Sequence, residues 1–487
     1  MMRVACGVLA ALLFATEASA GSPEPCSLAG GKPWREFRSQ HFVIDAAGWN
    51  REPARLVGSF EELYAAVLAS LIAEPVDIPG RVRVVVLPGE NDLFDYTGSS
   101  DIAALFWVSP RGEPVILLSA DNVESVPQVV AHELTHHVSS YLFPRQPFWF
   151  AEGLAQFVES VGKPDREGRR WAGSDPTGGW VAGDIKLTRM ESLLTLNSSG
   201  SYVDSLSSWV LYRFLWNERP RQLTKYQRAL MDGEAPQDAW RLAFPEWDPK
   251  AGNAWGLDAP VIHHQLNGRG LRWEIKLGKV DRTFTSAPAS PGDVHIALLD
   301  LRLDVTNSLL KQRVRRQSLE EADREEAGHP VVSAELARLR EVPLLPALRA
   351  SAAARPGDGR GWFLLGMEAT DPGEREAALR RAVELWPEGA LAQAALATQL
   401  ATTGRAREGL AAANRAVELA PWHPTAVSSL ATVAVELGQC KQALLLQARA
   451  VEAAQAKRVG TAGVDSDQLK NRLAELQKRC SKPAPPR

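Results

Sequence analysis

Cysteine is scarce in this 487-residue chain, with four in all: Cys6, Cys26, Cys440 and Cys480. So few exclude a disulfide-built scaffold, and none of their spacings is that of a metal site. An excess of one charge is lacking too. Lys and Arg number 55 against 58 Asp and Glu, for a formal net charge of -3. That balance gives no basis for a nucleic-acid partner or an anionic membrane surface. Past residue 20 no apolar run is long enough to cross a bilayer, and past residue 293 no strand pattern occurs. What is plentiful is tryptophan, 15 in all, which suits either apolar grooves for peptides or large core side chains. The apolar fraction of 45% and charged fraction of 23% are those of a soluble globular protein. The length calls for two or three domains rather than one core.

The first twenty residues have the build of a secretory signal peptide. Arg3 precedes an apolar run from Val8 to Phe14, and Ala18-Ser19-Ala20 offers a small-residue cleavage site before Gly21. A retained membrane anchor is the alternative reading of the same run. The mature chain is expected to be periplasmic or secreted, in an oxidising compartment, with no transmembrane span after signal removal. Cys440 and Cys480 both fall in the C-terminal helical region and are the expected disulfide pair, which leaves Cys26 over.

Strand patterns come early. Residues 37–45 (FRSQHFVID) alternate, with His41 inside; residues 82–87 (VRVVVL) form a β-branched run of the buried kind; residues 103–108 and 114–119 follow, with a turn at Pro110-Arg111-Gly112. Between the first two, Leu56, Phe60, Leu63, Val67 and Leu71 mark one face of a helix over 51–72. A second helix is predicted from about Pro127 to Leu142, ended by Pro144 and Pro147, and a third from Trp149 to about Val161. Residues 163–182 read as an exposed loop, and helices resume from Leu187 to about Phe244.

The chemistry-bearing stretch is Ala131-His132-Glu133-Leu134-Thr135-His136-His137 on the second of these helices. Two imidazoles four apart lie about 40° apart around a helix axis, so both rings can address one ion. Sixteen residues on, Trp149-Phe150-Ala151-Glu152-Gly153-Leu154-Ala155 brings a carboxylate on the next helix. Three protein donors with a fourth position open is the arrangement of a catalytic zinc rather than a structural one. Glu133 adjoins His132, where its carboxylate would reach metal-bound water rather than the metal. His137 points about 100° away from His136 and is expected to face solvent or to sit behind the ligands. The pair His263-His264 has no partner four residues away and is expected to be structural.

Taken together, His132-Glu133-x-x-His136 and Trp149-x-x-Glu152-Gly153-x-Ala155 resemble the gluzincin zinc metallopeptidases, the group also called peptidase MA-like. That resemblance implies a zinc metallopeptidase, a hydrolase acting on a peptide or protein substrate. It implies Zn²⁺ held by His132, His136 and Glu152, with Glu133 as general base. In related sequences an acid one turn after the third ligand orients a histidine; here that position is Gln156. Similar sequences tend to carry an oxyanion-stabilising tyrosine where Tyr202 stands, with Tyr212 as the alternative.

The C-terminal region is Ala/Leu/Arg/Glu-rich and repetitive. Arg381-Ala382-Val383-Glu384 recurs at 415–418 and 449–452, a period of 34 residues, and Gly404/Gly438 and Pro387/Pro421 keep the register. This resembles the tetratricopeptide repeat (TPR), a helix–turn–helix unit whose arrays bind protein partners. The expected fold is therefore α+β: a thermolysin-like gluzincin domain over 35–275, then an all-α tetratricopeptide-type domain. A linker is expected over 277–293, divergent helical hairpins over 294–352, and repeats with a capping helix over 356–480. Deletion of 290–487 is then expected to leave a folded metal domain. Two further readings stand beside the peptidase: a non-catalytic protein-interaction scaffold built on a peptidase-like fold, and zinc hydrolysis of a non-peptide amide such as one in cell-wall material.

Overall fold

The structure is a computed structural model that describes residues 34–49, 52–72, 76–89, 91, 93–94, 103–109, 111–125, 127–174, 186–196, 201–267, 271–305, 309–455 and 464–481. The expected signal peptide, Cys26 and the 175–182 part of the expected exposed loop lie outside the described residues.

The chain begins as a hairpin rather than the single strand expected over 37–45. Strands β1 (Trp34–Arg38) and β2 (Phe42–Ala47) pair antiparallel, and the Ser39 amide closes the turn on the Phe42 carbonyl at 3.0 Å. His41 drives the turn. Its amide and its ring Nδ1 meet the two carboxylate oxygens of Glu61 at 3.0 and 2.6 Å. Glu61 is buried on helix α1 (Pro53–Leu71), where its carboxylate needs such donors.

Helix α1 carries the chain across to β3 (Val82–Leu87), which runs parallel to β2; β4 (Ala104–Val108) and β5 (Pro114–Ser119) follow. With the later β8 (Thr285–Pro288) they form a six-stranded sheet in the order β4-β5-β3-β2-β1-β8. Its centre, β2-β3-β5, is parallel, and its outer pairs are antiparallel. Such a centre must be covered on both sides, which is why β3 reads VRVVVL without alternation. Val84 and Val86 belong to the core formed with α1 and the helices that follow β5, α2 (Ala120–Ser125), α3 (Pro127–Leu142) and α4 (Phe148–Val158). Val85, Leu87, Trp107, Val115 and Leu117 face the other way, onto Val294, Ala297 and Leu298.

The remainder of the N-terminal unit is a short ribbon and five helices: β6 (Arg170–Ala172), α5 (Met190–Thr195), α6 (Tyr202–Glu218), α7 (Pro220–Met231), α8 (Pro236–Ala243) and α9 (Asp258–Asn267), with β7 (Trp273–Ile275) pairing β6. Helix α6 opens on a full capping box, with Ser201 and Asp204 each accepting from the other's amide.

The linker expected over 277–293 is corrected. Residues Thr285–Pro288 pair with β1, register Arg35↔Pro288 to Arg38↔Thr285, and helix α10 (Pro291–Val305) starts at once and covers the second face of the sheet. An open strand edge and an apolar sheet face both needed a partner, and this segment supplies them. The N-terminal unit accordingly runs past 275 and takes in the first helix of the expected hairpins.

From there all described elements are helical: α11 (Leu309–Glu325), α12 (Pro330–Leu339), α13 (Leu344–Ala354), α14 (Gly359–Glu368), α15 (Pro372–Leu385), α16 (Ala390–Thr402), α17 (Ala406–Leu419), α18 (Pro424–Glu436), α19 (Cys440–Gln455) and α20 (Ser466–Cys480). The helices that open at Pro372, Ala406 and Cys440 follow one another at 34 residues, as do those that open at Ala390 and Pro424. Ala382, Ala416 and Ala450 are wholly buried where helices approach closely. Gly404 and Gly438 turn successive pairs with φ of 81° and 78°, left-handed values that favour glycine. This is a helical-repeat array of the tetratricopeptide type. A disulfide between Cys440 and Cys480 ties the start of α19 to the end of α20.

The array rests on the N-terminal unit by helix ends and the turns beside them. Tyr141, near the end of α3, donates its hydroxyl to the Leu419 carbonyl at 3.0 Å and packs its ring 4.6 Å from that of Trp422. Arg145, in the turn after α3, pairs with Glu452 at 3.0 Å and donates to the Gly233 carbonyl at 2.7 Å. Arg81 reaches Glu388 at 2.9 Å.

Candidate metal centre

Helices α3 and α4 are joined by a five-residue turn at 143–147 that reverses the chain, so the two ligand-bearing helices lie against each other. The turn is held by the Gln146 amide to the Phe143 carbonyl at 2.9 Å and by the Gln146 side chain to Ser139 Oγ at 3.0 Å. Behind the third donor, Gly153 permits close contact with α6: a Cβ there would lie 2.5 Å from the Ser208 carbonyl oxygen and 2.8 Å from Tyr212 Cβ. The glycine after Glu152 in the sequence is thus a packing requirement. Gly153→Ala is expected to cost about 1–3 kcal/mol through forced separation of α4 and α6; urea melts of variant and parent measure it, and equal midpoints would refute it.

The structure brings His132, His136 and Glu152 together. His132 Nε2 and His136 Nε2 are 3.1 Å apart, His136 Nε2 is 3.5 Å from Glu152 Oε1, and one donor atom from each residue lies within 4.8 Å of the others. Donors bound at about 2.0–2.2 Å around one tetrahedral ion sit roughly 3.3–3.5 Å apart, so the set fits zinc. The three side chains keep 17%, 19% and 21% of their surface open, which leaves room for a fourth ligand.

The electrostatics fit converging donors. Burial alone would depress His132, yet its hydrogen bond to Glu159 and the charges of Glu133, Glu159 and Glu152 bring its pKa to about 9. Burial dominates at His136 and pulls it down to about 4. In the cation-free state the pair therefore carries one proton beyond the neutral count, on His132, whose Nε2 lies 3.1 Å from His136 Nε2. A cation bound there would take that proton's place.

Glu133 is not one of the three converging donors. Its Oε2 accepts the Phe106 amide at 3.2 Å, so the carboxylate fastens the edge strand β4 to α3, and burial raises its pKa to about 7.

Other expectations change. His137 does not face solvent; it is buried between the rings of Phe106 and Tyr141, and burial lowers its pKa to about 3. The acid that meets a histidine of the set is Glu159 rather than a residue at position 156: His132 Nδ1 meets Glu159 Oε2 at 3.0 Å. Tyr202 is the first residue of α6, but its side chain lies outside the described residues, so its expected catalytic role has no geometry here. Tyr212 is buried against Phe150 and Phe157, with its hydroxyl accepting from Gln227 at 3.1 Å, so it is a core residue. His264 is buried and held by Asn217 at 3.0 Å and Glu218 at 3.3 Å, a structural role. Sequence reasoning missed Glu159. The available signal was its spacing: seven residues past Glu152 is two helical turns, hence the same face.

No protein-family model matches the chain, and no curated protein matches it. Solved structures do. A thermophilic TPR protein of Thermus thermophilus is 21% identical over 34% of this chain and 91% of its own, with a TM-score of 0.27. YrrB, a TPR protein with an unusual peptide-binding site, is 17% identical over 38% of this chain and 91% of its own, with a TM-score of 0.26. Yeast Tom70 is 11% identical over 74% of this chain and 76% of its own, with a TM-score of 0.29. At such scores the repeat assignment rests on the chain's own 34-residue period. The expectation of a zinc metallopeptidase is corrected: the solved structures just named are TPR proteins rather than peptidases. Among the described residues no helix is long and apolar enough to cross a membrane.

Proposed function

We propose that the chain is a protein-interaction scaffold of the periplasmic or secreted space, built on a gluzincin-like α/β unit. In it the helical array receives a peptide or protein partner, and His132, His136 and Glu152 hold a zinc ion. The observation that carries this reading is the seating of the helical array on helix α3 and the turn after it, through Tyr141 and Arg145. The donor set of two imidazoles and a carboxylate suits zinc. When bound, the ion supplies a Lewis-acidic position open to a carbonyl or carboxylate oxygen of the partner. The chain's own residues do the rest. The two imidazoles and Glu152 tie α3 to α4, and Glu133 holds β4 beside them through the Phe106 amide.

Two measurements on the purified chain test this. Elemental analysis is expected to find one zinc per chain, lost in His132→Ala. Fluorescence anisotropy with a labelled unfolded polypeptide (reduced, carboxymethylated α-lactalbumin) is expected to show saturable binding with the label left intact. No saturable binding, or cleavage that Glu133→Gln abolishes, would overturn the scaffold reading.

A further inference from the structure

We infer that Glu159 is the positioning residue of the metal centre: it accepts the Nδ1–H of His132 and so fixes the tautomer and ring plane that present Nε2 to the ion. This rests on the zinc reading above. Three observations lead to it.

The first is the contact itself, 3.0 Å from His132 Nδ1 to Glu159 Oε2. A neutral imidazole carries one proton, and an acceptor at Nδ1 places that proton there, leaving the Nε2 lone pair free. The second is the pairing across the two helices. His132 and His136 are four apart on α3, while Glu159 and Glu152 are seven apart on and just beyond α4. Because the helices run in opposite directions, His136 meets Glu152 at 3.5 Å and His132 meets Glu159. One acid faces the ion and the other faces away from it, behind the ring.

The third is how Glu159 gets there. After Val158 the chain tightens into a 3₁₀ turn, Glu159–Gly162, that packs against the start of α3. Gly162 makes this approach possible: a Cβ there would lie 2.4 Å from the Pro127 carbonyl oxygen and 2.6 Å from the Gln128 amide nitrogen. The Ser160 hydroxyl donates to the Trp171 carbonyl at 2.7 Å, and Arg170 caps the carbonyl of Val161 at 2.7 Å. The turn is therefore held from both sides, and with it the carboxylate.

The test is zinc affinity by competition with a chromophoric chelator, together with the visible spectrum of the Co²⁺ form. Glu159→Ala is expected to weaken zinc about ten- to hundredfold and to lower the intensity of the tetrahedral Co²⁺ bands. Glu159→Gln retains a carbonyl acceptor and is expected to recover most of the loss. Gln156→Ala is expected to match the parent. Circular dichroism establishes that each variant is folded, and Glu159→Met, which keeps the length of the side chain without an acceptor, carries the same expectation if Glu159→Ala does not fold. Parental affinity in a folded Glu159→Ala, or equal loss in Gln156→Ala, would overturn the role of Glu159 and leave the zinc site standing. Failure of the parent chain to bind zinc would instead overturn the site itself.

Discussion

A chain cut to residues 34–289 is expected not to fold. The cut removes α10, the cover of the second sheet face, and exposes Val85, Leu87, Trp107, Val115 and Leu117 together. Each such side chain contributes about 1.5–3 kcal/mol through burial. Five of them amount to roughly 10 kcal/mol, the size of a domain's whole stability. The same cut takes Asp293 from Arg83, and it removes Leu419 and Trp422 from Tyr141 at the end of the metal helix. The expected result is an aggregating product that binds a hydrophobic dye and lacks a cooperative melt. The simpler expectation from sequence, a separable metal domain, predicts the opposite. Soluble expression of 34–289 with a thermal midpoint within about 5 °C of the full chain would decide for that alternative.

That difference shows what was legible in the sequence. Helix α3 with its histidine pair was, because the i,i+4 spacing of His132 and His136 is local and the prolines at 144 and 147 mark its end. The array was, because a 34-residue period repeats in Arg-Ala-Val-Glu and in the turn glycines. The partners across the fold were not. Residues Thr285–Pro288 read TSAP, are exposed and contain proline, so no propensity marks them as a strand. They pair because β1 has an open edge, which is a property of the sheet and not of the segment.

The same holds at the centre. Glu152 follows a recognisable Trp-x-x-Glu-Gly stretch, whereas Glu159 gains its meaning only from the antiparallel placing of α3 and α4. Tyr141 is 278 residues from the carbonyl it bonds, and nothing along the chain announces that contact. The hairpin at 39–41 was hidden for a related reason: its turn is set by His41 meeting Glu61 on a helix that comes later. Long-range satisfaction of buried polar groups, rather than local pattern, decided each of these places.

Asp293 is where such satisfaction has its largest single consequence. It lies at the junction of sheet and array, with Arg83 of β3 at 3.4 Å, His329 Nε2 at 2.9 Å and the Arg360 guanidinium in direct contact. Burial alone would raise its pKa, but Arg360, Arg83 and His329 hold it well below the ordinary aspartate value. Asp293→Asn keeps the shape and removes the charge, which leaves two buried guanidiniums short of a partner. Breaking a buried pair costs about 3–5 kcal/mol. The lower end applies here, because Arg83 still has Asp45 and Arg360 still has Asp358. The pH dependence has a definite sign. A carboxylate with a depressed folded pKa contributes its stability above the unfolded value of about 3.9 and loses it as pH falls through the folded value. Urea melts of the parent and Asp293→Asn are therefore expected to differ from pH 7 to about pH 5, a window in which the neighbouring Asp45, pushed up to about 7 by burial, also titrates, and the gap is expected to narrow below about pH 4. A gap that is absent at pH 7, or that widens below about pH 4, would show that Asp293 does not hold the sheet to the array through its charge.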